Sequence, residues 1–395
     1  MEFGIFIQGI CPGERAHIRS EEHKALMDER DLVVTADRNN WKYVWVTEHH
    51  ALTEYSHISA NEIVMPHILA RTDRIRVASG IINVTPPVNH PARIAERVAM
   101  LDHLSGGRFD FGTGRGSSST EQGGFGITDP ELTKEMFDEV MPEFRKMWSQ
   151  DSYSFDGRFF SMPERNVLPK PHVKPHPPMW VAAGNPDTFR KAGELGLGVI
   201  CFTGGSPEKM KPLVDMYKEA VADAKPVGDY VNDNVAITTS FLCLDDGDRA
   251  RQLMTESRNG RQQSLVFKYL DTFPKPPGIP EWPIEIPDPT LEQLDVGFEK
   301  GTSIVGTPDD CAEVLQKWDD IGVDQLIMGP TGSVWPYEVV EESVELFGNT
   351  VIPKYDASPD EARAVRFRRE ADGIQTDPQF GRLECFAIVE RRSKT

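Results

Sequence analysis

KYVWVTEHHALTEYSHISANEIVMPHILARTDRIRVASGIINV, residues 42–84, contains one complete strand–helix–strand repeat. Lys42 to Thr47 is a short run rich in aromatic and β-branched residues, which reads as a strand. Ala60 to Arg71 has the composition of a helix, and Ile75 to Val84 returns to β-branched residues and a further strand. A helix-length connection makes two such strands parallel neighbours. The alternation extends in both directions. Upstream stand a strand at Glu2 to Gln8 and a helix at Glu21 to Asn39. Downstream, a helix at Pro91 to Leu104, a strand at Arg108 to Gly112 and a helix from Pro130 to Ser149 are followed, after a proline-rich connector, by a strand at Met179 to Ala183 and a helix at Pro186 to Leu195. A strand at Val199 to Phe202, a helix at Pro207 to Ala224 and a strand at Asn234 to Leu244 continue the series. Its last members are a helix at Pro308 to Ile321, a strand at Gln325 to Met328 and a helix from Pro336 to Phe347. Eight strands, each with a helical segment after it, predict an α/β protein built as a (β/α)8 TIM barrel with insertions and a C-terminal extension. A doubly wound open sheet is the alternative.

Two segments break the rhythm. Residues 271–299 hold seven prolines, so neither helix nor strand is expected to run through them, and an insertion of this kind suits a lid or an interface. Phe273 and Trp282 within it suggest a hydrophobic cap over an apolar ligand. Residues 356–395 extend beyond the eighth helix, helix-like at Pro359 to Ala371 and strand-like at Leu383 to Val389. The expected organisation is a barrel over 1–355 and a C-terminal extension over 356–395, which either wraps its own surface or crosses to a second subunit.

The composition fits a globular chain: of 395 residues, 39% are hydrophobic and 27% charged. The formal charge is −19, an acidic balance that repels phosphate backbones and anionic lipid, so nucleic acid and membrane surfaces are not expected partners. No apolar run reaches the roughly 18 to 20 residues a bilayer span needs, and the N-terminal MEFGIFIQGI enters a strand without a basic leader. A cytoplasmic protein is expected. The five cysteines, Cys11, Cys201, Cys243, Cys311 and Cys385, are spread singly and read as reduced, mostly buried thiols rather than a disulfide or zinc framework.

The residues able to do chemistry gather where strands end. Glu48, His49 and His50 close the second strand at its carboxyl end, where such barrels carry their sites. Side chains alternate along a strand, so one histidine can face the barrel mouth while Glu48 holds a ring in one tautomer. Adjacent histidines on a strand cannot share an ion, and no metal is expected. In GRFDFGTGRGSSSTEQGG, residues 107–124, a Gly and Ser-rich loop follows the strand, where glycines 112, 114 and 116 let a ligand approach the backbone and Arg115 offers a forked cation. The glycine spacing departs from the dinucleotide fingerprint. In WVAAGNPDTFRKAGELG, residues 180–196, Asn185 is an N-cap, Pro186 the first helical residue and Thr188 lies in the first turn, leaving amides for an anion. The similar VGTPDDCAEVL, residues 305–315, carries Asp309 and Asp310 in its first turn, which repel a phosphate.

Residues 45–116, WVTEHHALTEYSHISANEIVMPHILARTDRIRVASGIINVTPPVNHPARIAERVAMLDHLSGGRFDFGTGRG, resemble the bacterial luciferase family of flavin-dependent monooxygenases. The likeness continues through WVAAGNPDTFRKAGELG and GTPDDCAEVLQKWDDIGVDQLIMGP to VIPKY, about residue 355. It implies a barrel that binds FMN at the carboxyl ends of its strands, taking reduced flavin from a separate reductase and reacting with dioxygen through a flavin hydroperoxide. The product would come from Baeyer-Villiger oxidation, aldehyde oxidation or hydroxylation of a small apolar substrate. By position, the resemblance makes His49, with Glu48, the catalytic group and Arg115 the phosphate arginine, with Ala183, Gly184, Asn185 and Thr188 beside that phosphate and Gly114 beside the flavin. It also implies a non-proline cis peptide beneath the flavin at Ile82–Asn83, and a homodimer packed through barrel helices. Gly114 stands where the luciferases proper carry a cysteine, which argues against light emission. A deazaflavin-dependent oxidoreductase and a non-catalytic flavin-binding relative share the barrel and remain as alternatives.

Overall fold

The structure, a computed structural model, describes residues 1–11, 18–52, 56–116, 119–173, 175–202, 205–256, 288–329, 335–357, 366–370 and 373–376. In chain order the first half holds β1 (Glu2–Ile7), α1 (Arg19–Arg38), β2 (Tyr43–Val46), α2 (Asn61–Leu69), β3 (Arg76–Ser79), β4 (Ile82–Asn83), α3 (Pro91–Ser105), β5 (Phe109–Gly114), α4 (Ser119–Gly124) and α5 (Leu132–Ser149). Then come β6 (Tyr153–Asp156), β7 (Ser161–Arg165), β8 (Met179–Ala182), α6 (Pro186–Glu194), β9 (Gly198–Cys201), α7 (Pro207–Ala222), β10 (Tyr230–Asn232), β11 (Val235–Cys243) and α8 (Gly247–Thr255). The remainder is α9 (Leu291–Glu299), β12 (Ile304–Gly306), α10 (Pro308–Asp319), β13 (Gln325–Gly329), α11 (Tyr337–Thr350), α12 (Ile352–Tyr355), β14 (Arg366–Glu370) and β15 (Gly373–Thr376).

Strands β1, β2, β3, β5, β8, β9, β11 and β13 pair in that order, all in parallel. The β11–β13 and β13–β1 pairings close the ring. This is the (β/α)8 barrel, and the open sheet is excluded by the closure. The two-residue period of each strand explains both of its cores. Phe3, Ile5 and Ile7 of β1 and Val44 and Val46 of β2 face outward into the large core under the helices. Phe6, Tyr43, Trp45, Ala78, Ile81, Trp180, Ile200, Ala236 and Ile327 face inward and fill the barrel. The rings of Trp45 and Trp180 meet edge to face, centroids 5.1 Å apart. So much indole requires small neighbours. Gly198 on β9 is one of them, and a Cβ there would lie 2.5 Å from Trp180 Cε3.

The amino ends of the strands are sealed by buried polar pairs. Arg76 Nε donates to Asp110 Oδ1 (2.8 Å) and Trp180 Nε1 to Asp110 Oδ2 (2.9 Å). Trp45 Nε1 donates to Gln325 Oε1 (2.6 Å), and Lys42 pairs with Glu2 (2.9 Å) and Asp356 (2.6 Å). With that floor closed, a ligand can enter the barrel only from the carboxyl ends.

Four expectations need correction. The 271–299 insertion contains a helix after its last proline: Thr290 caps α9 in a reciprocal capping box with Gln293, so the proline-free stretch 290–299 folds as its own composition directs. Phe273 and Trp282 lie outside the described residues. In the tail, Arg366–Glu370 is strand rather than helix. It pairs antiparallel with β10 and with β15, the sheet thus forming within the chain; the Asp372-Gly373 pair is a hairpin signal that the helical reading passed over. The segment Leu383 to Val389 lies outside the described residues. The proline-rich connector after α5 holds the hairpin β6–β7, and the Gly and Ser-rich loop after β5 contains α4. No described helix is long and apolar enough to cross a membrane. Cys11, Cys201, Cys243 and Cys311 are free and buried.

Candidate active site at the carboxyl ends of the strands

β2 delivers Glu48, His49 and His50 to the barrel mouth, and each histidine turns to a different carboxylate. His49 Nδ1 lies 3.0 Å from Glu121 Oε1, and the same oxygen accepts the His50 backbone N–H at 3.0 Å. His50 Nε2 lies 3.1 Å from Glu48 Oε1. The alternation expected of the two rings is therefore present, but Glu48 holds His50, and the carboxylate on His49 comes from α4. Burial pushes the Glu48 carboxyl above its ordinary value, and its bond to His50 takes back only part of that rise. The same bond pushes His50 up, against its own partial burial.

Glu48 also fixes the chain that follows β3. It accepts from Asn89 Nδ2 (3.2 Å) and from the Asn83 backbone N–H (3.4 Å), while Asn89 Nδ2 also donates to the Asn83 carbonyl (3.0 Å). The Asn83 side chain is turned to Thr85, accepting its N–H and its hydroxyl. The non-proline cis peptide is Gly80–Ile81, not Ile82–Asn83. β3 ends at Ser79, so the strand read as continuous to Val84 is interrupted at Gly80 and Ile81, and β4 restarts against Thr113 and Gly114. In consequence Ile81 faces the barrel interior, whereas Ile82, expected at a cofactor, turns into the outer core.

A second group forms where β5 and β8 end. A cavity of about 380 Å³ is lined by Gly114, Arg115, Lys134, Phe137, Val181, Ala182, Asn185, Thr188, Lys191 and their neighbours. Asn185 caps α6 as its residue type dictates, its Oδ1 accepting the Thr188 N–H (3.0 Å) and hydroxyl (2.7 Å), and Pro186 occupies the first helical position. Arg115 Nη1 donates to the neutral Thr133 hydroxyl (2.9 Å). Among the described residues no carboxylate lies within salt-bridge distance of Arg115. Burial pulls its guanidinium below the ordinary value, and Glu131 and Asp138 at longer range push it back up. Asp187 also lines the cavity and opposes an anion there, while Lys134 and Lys191 add positive charge, each paired with a carboxylate on α5 or its approach. Ala183 and Gly184 do not line this cavity: the Ala183 side chain joins the outer core and its N–H continues the ladder to Ile200 (2.9 Å).

The two groups meet through α4. Glu121 reaches His49, and the next residue, Gln122, donates from Nε2 to the Arg115 carbonyl (3.3 Å).

A family model described as luciferase-like monooxygenase matches residues 1–325. This chain belongs to the luciferase-like monooxygenase family. Among its curated relatives in that family is the alkanal monooxygenase alpha chain of Photobacterium leiognathi, 28% identical, the match covering 84% of this chain and 94% of that one. Another is an F420-dependent glucose-6-phosphate dehydrogenase of Kineococcus radiotolerans, 26% identical over 76% of this chain and 86% of the relative. Among solved structures, the oxygenating constituent of 3,6-diketocamphane monooxygenase from Pseudomonas putida, in complex with FMN, superposes with a TM-score of 0.71. It covers 90% of this chain and 98% of its own at 20% identity, a likeness of fold. In this luciferase-like chain, sequence reading brought Gly114, Arg115, Asn185 and Thr188 to one cavity. It did not single out Glu121, Gln122, Lys134, Phe137 and Lys191; Glu121 stood inside the quoted 107–124 segment but was read as part of a loop.

Proposed function

We propose that this chain is the oxygenase of a two-component, FMN-dependent monooxygenase. It would take reduced FMN from a separate flavin reductase and use dioxygen to oxidise a small apolar organic compound by Baeyer-Villiger oxidation, aldehyde oxidation or hydroxylation. The observation that carries this reading is Arg115. A partly buried guanidinium hydrogen-bonded to a neutral hydroxyl, beside a capped helix start and with no carboxylate within salt-bridge distance among the described residues, suits a phosphate monoester. Gly114 keeps the adjoining backbone bare on the side of the barrel mouth, where a Cβ would run into the Ile81 side chain at 2.7 Å.

When bound, reduced FMN supplies two electrons that let one oxygen atom of dioxygen enter the substrate while the other leaves as water. The chain's own residues do the rest. Arg115, Asn185 and Thr188 anchor the phosphate. Phe6 and Phe202, stacked with centroids 5.1 Å apart, and Ile81 form the apolar end of the barrel interior that keeps water from the reaction. His49, with Glu48 bracing the neighbouring His50 and the segment after β3, gives or takes the proton that oxygen transfer requires. The C-terminal extension enters only as a segment whose β14 pairs with β10; the expected lid falls on residues 271–287, outside the described residues.

The test supplies chemically reduced FMN and air with a panel of ketones, aldehydes and terpenes and measures product against flavin consumed. Coupled product formation supports the reading. Turnover that needs deazaflavin F420 and no oxygen would replace it with the dehydrogenase reading, for which the F420-dependent relative is the precedent. The proposed assembly is a homodimer. Ile63 on α2 and Met100 and Leu104 on α3, two helices packed side by side, are 69%, 47% and 63% exposed, an apolar face that a second copy would cover.

A further inference from the structure

The neighbouring histidines are held by different carboxylates, and the one on His49 is the better buried. Glu121 is 2% exposed, and the side chains of His49 and Glu121 retain 12% and 3% of their accessible surface. One oxygen, Oε1, receives both His49 Nδ1 and the His50 backbone N–H. A carboxylate accepts and does not donate, so the nitrogen facing it must carry the proton. We propose that Glu121 is the positioning residue of His49: it holds the ring proton on Nδ1, which makes Nε2 the nitrogen that exchanges a proton with the reacting groups. This rests on the reading of His49 as the acid/base.

The surroundings explain why the arrangement is stiff. Rotating the His49 ring, or moving its proton to Nε2, would break a hydrogen bond to a buried carboxylate, and weakening the acceptance of such a group is costly. The His50 amide on the same oxygen ties down the backbone between the two rings, so Glu121 fixes where the imidazole starts as well as how it is turned. His50 cannot take over that carboxylate with its ring, which is engaged by Glu48 and packed edge-on against Phe125, centroids 4.9 Å apart. Because Gln122 is bonded to the Arg115 carbonyl, the same short helix sets the imidazole relative to the end of β5.

The direct test is 15N-detected NMR of the full chain labelled at histidine, without cofactor and above the pH where imidazole titrates. His49 is assigned by its loss in His49→Gln. The expected spectrum has a protonated-type shift at Nδ1 and an unprotonated-type shift at Nε2. The reverse pattern overturns the proposal whatever the enzyme oxidises. In Glu121→Met, similar in volume, the expectation is loss of that pattern and a fall in kcat of about tenfold or more. The KM for the organic substrate should stay within about twofold, since a positioning group acts on the transition state. Glu121→Gln, whose amide oxygen can still accept from Nδ1, should restore the tautomer and most of kcat. Glu121→Met with an unaltered tautomer and kcat, or Glu121→Gln as poor as Glu121→Met, would overturn the role. If reduced FMN drives no oxidation at all, the function proposed above fails, while the tautomer spectrum still decides on Glu121.

Discussion

At the scale of single residues, Arg115 and His49 face opposite electrostatic situations. Arg115 is a cation partly removed from water and bonded to a neutral hydroxyl, so it gains most from a bound anion. Arg115→Met should weaken FMN by about tenfold or more, the worth of one charge-assisted hydrogen bond, and leave riboflavin, which has no phosphate, bound as before. Flavin fluorescence quenching measures both; equal loss for the two ligands, or no loss for FMN, removes Arg115 from the anchor. His49 already has its charged partner, so His49→Ala should leave FMN affinity within about twofold and lower coupled oxidation by roughly 10² or more. Full turnover in that variant would take His49 out of the mechanism. Residues that act through neighbours in sequence were legible in this region: Asn185 capping Thr188 three positions on is a local rule. Glu121 was not, because it meets His49 across 72 residues, and no periodicity or spacing encodes which side chain of a glycine-rich segment will fold back over a neighbouring strand.

At the scale of elements, the carboxyl end of β1 is fixed by α1. Glu29 accepts the backbone N–H groups of Gln8 (2.9 Å) and Gly9 (2.6 Å), where Gly9 takes a left-handed φ of 63°. Burial pushes the Glu29 carboxyl up to about 7 from 4.5, against the pull of those amides. A carboxyl with a raised value favours folding while protonated. Its contribution is therefore complete below pH 4.5 and is withdrawn as pH climbs through 7, by roughly 3 kcal/mol in all. Glu29→Gln keeps an acceptor without the proton equilibrium, so the midpoint of thermal unfolding should fall between pH 5 and 8 by a few degrees more in the wild type than in the variant. Parallel curves would contradict the assignment. All eight barrel strands were legible because each is a short β-branched or aromatic run between turn residues. The elements that escaped have weaker local signatures: α4 is six residues rich in Gly and Ser, β6 and β7 are mostly exposed and polar, and β14 is a charged run that becomes strand by pairing with an edge 134 to 138 residues earlier in the chain.

At the scale of the whole molecule, the barrel has one closed and one open end, and the wall beside the open end leads to the face proposed for the dimer. Glu48 accepts from Asn89, Asn89 Oδ1 accepts from Arg97 Nη2 (2.7 Å), and Arg97 Nη1 pairs with Glu62 (2.6 Å), the residue before Ile63. The Arg97 and Glu62 side chains keep 23% and 28% of their surface, so a second copy seated on α2 and α3 would desolvate this ion pair and strengthen it, stiffening the chain that ends on Glu48. Replacing Ile63 and Leu104 together with lysine puts two charges on that face and should convert a dimer of the wild-type chain into a monomer in light scattering, with the circular dichroism spectrum retained because both side chains point to solvent. A wild-type chain that is already monomeric rejects the dimer. If the double variant is monomeric and its coupled oxidation also drops, by about twofold to tenfold on the scale of an allosteric coupling, then the Glu62–Arg97–Asn89 chain carries the effect, and Arg97→Met in the dimer should reproduce it without changing the oligomeric state.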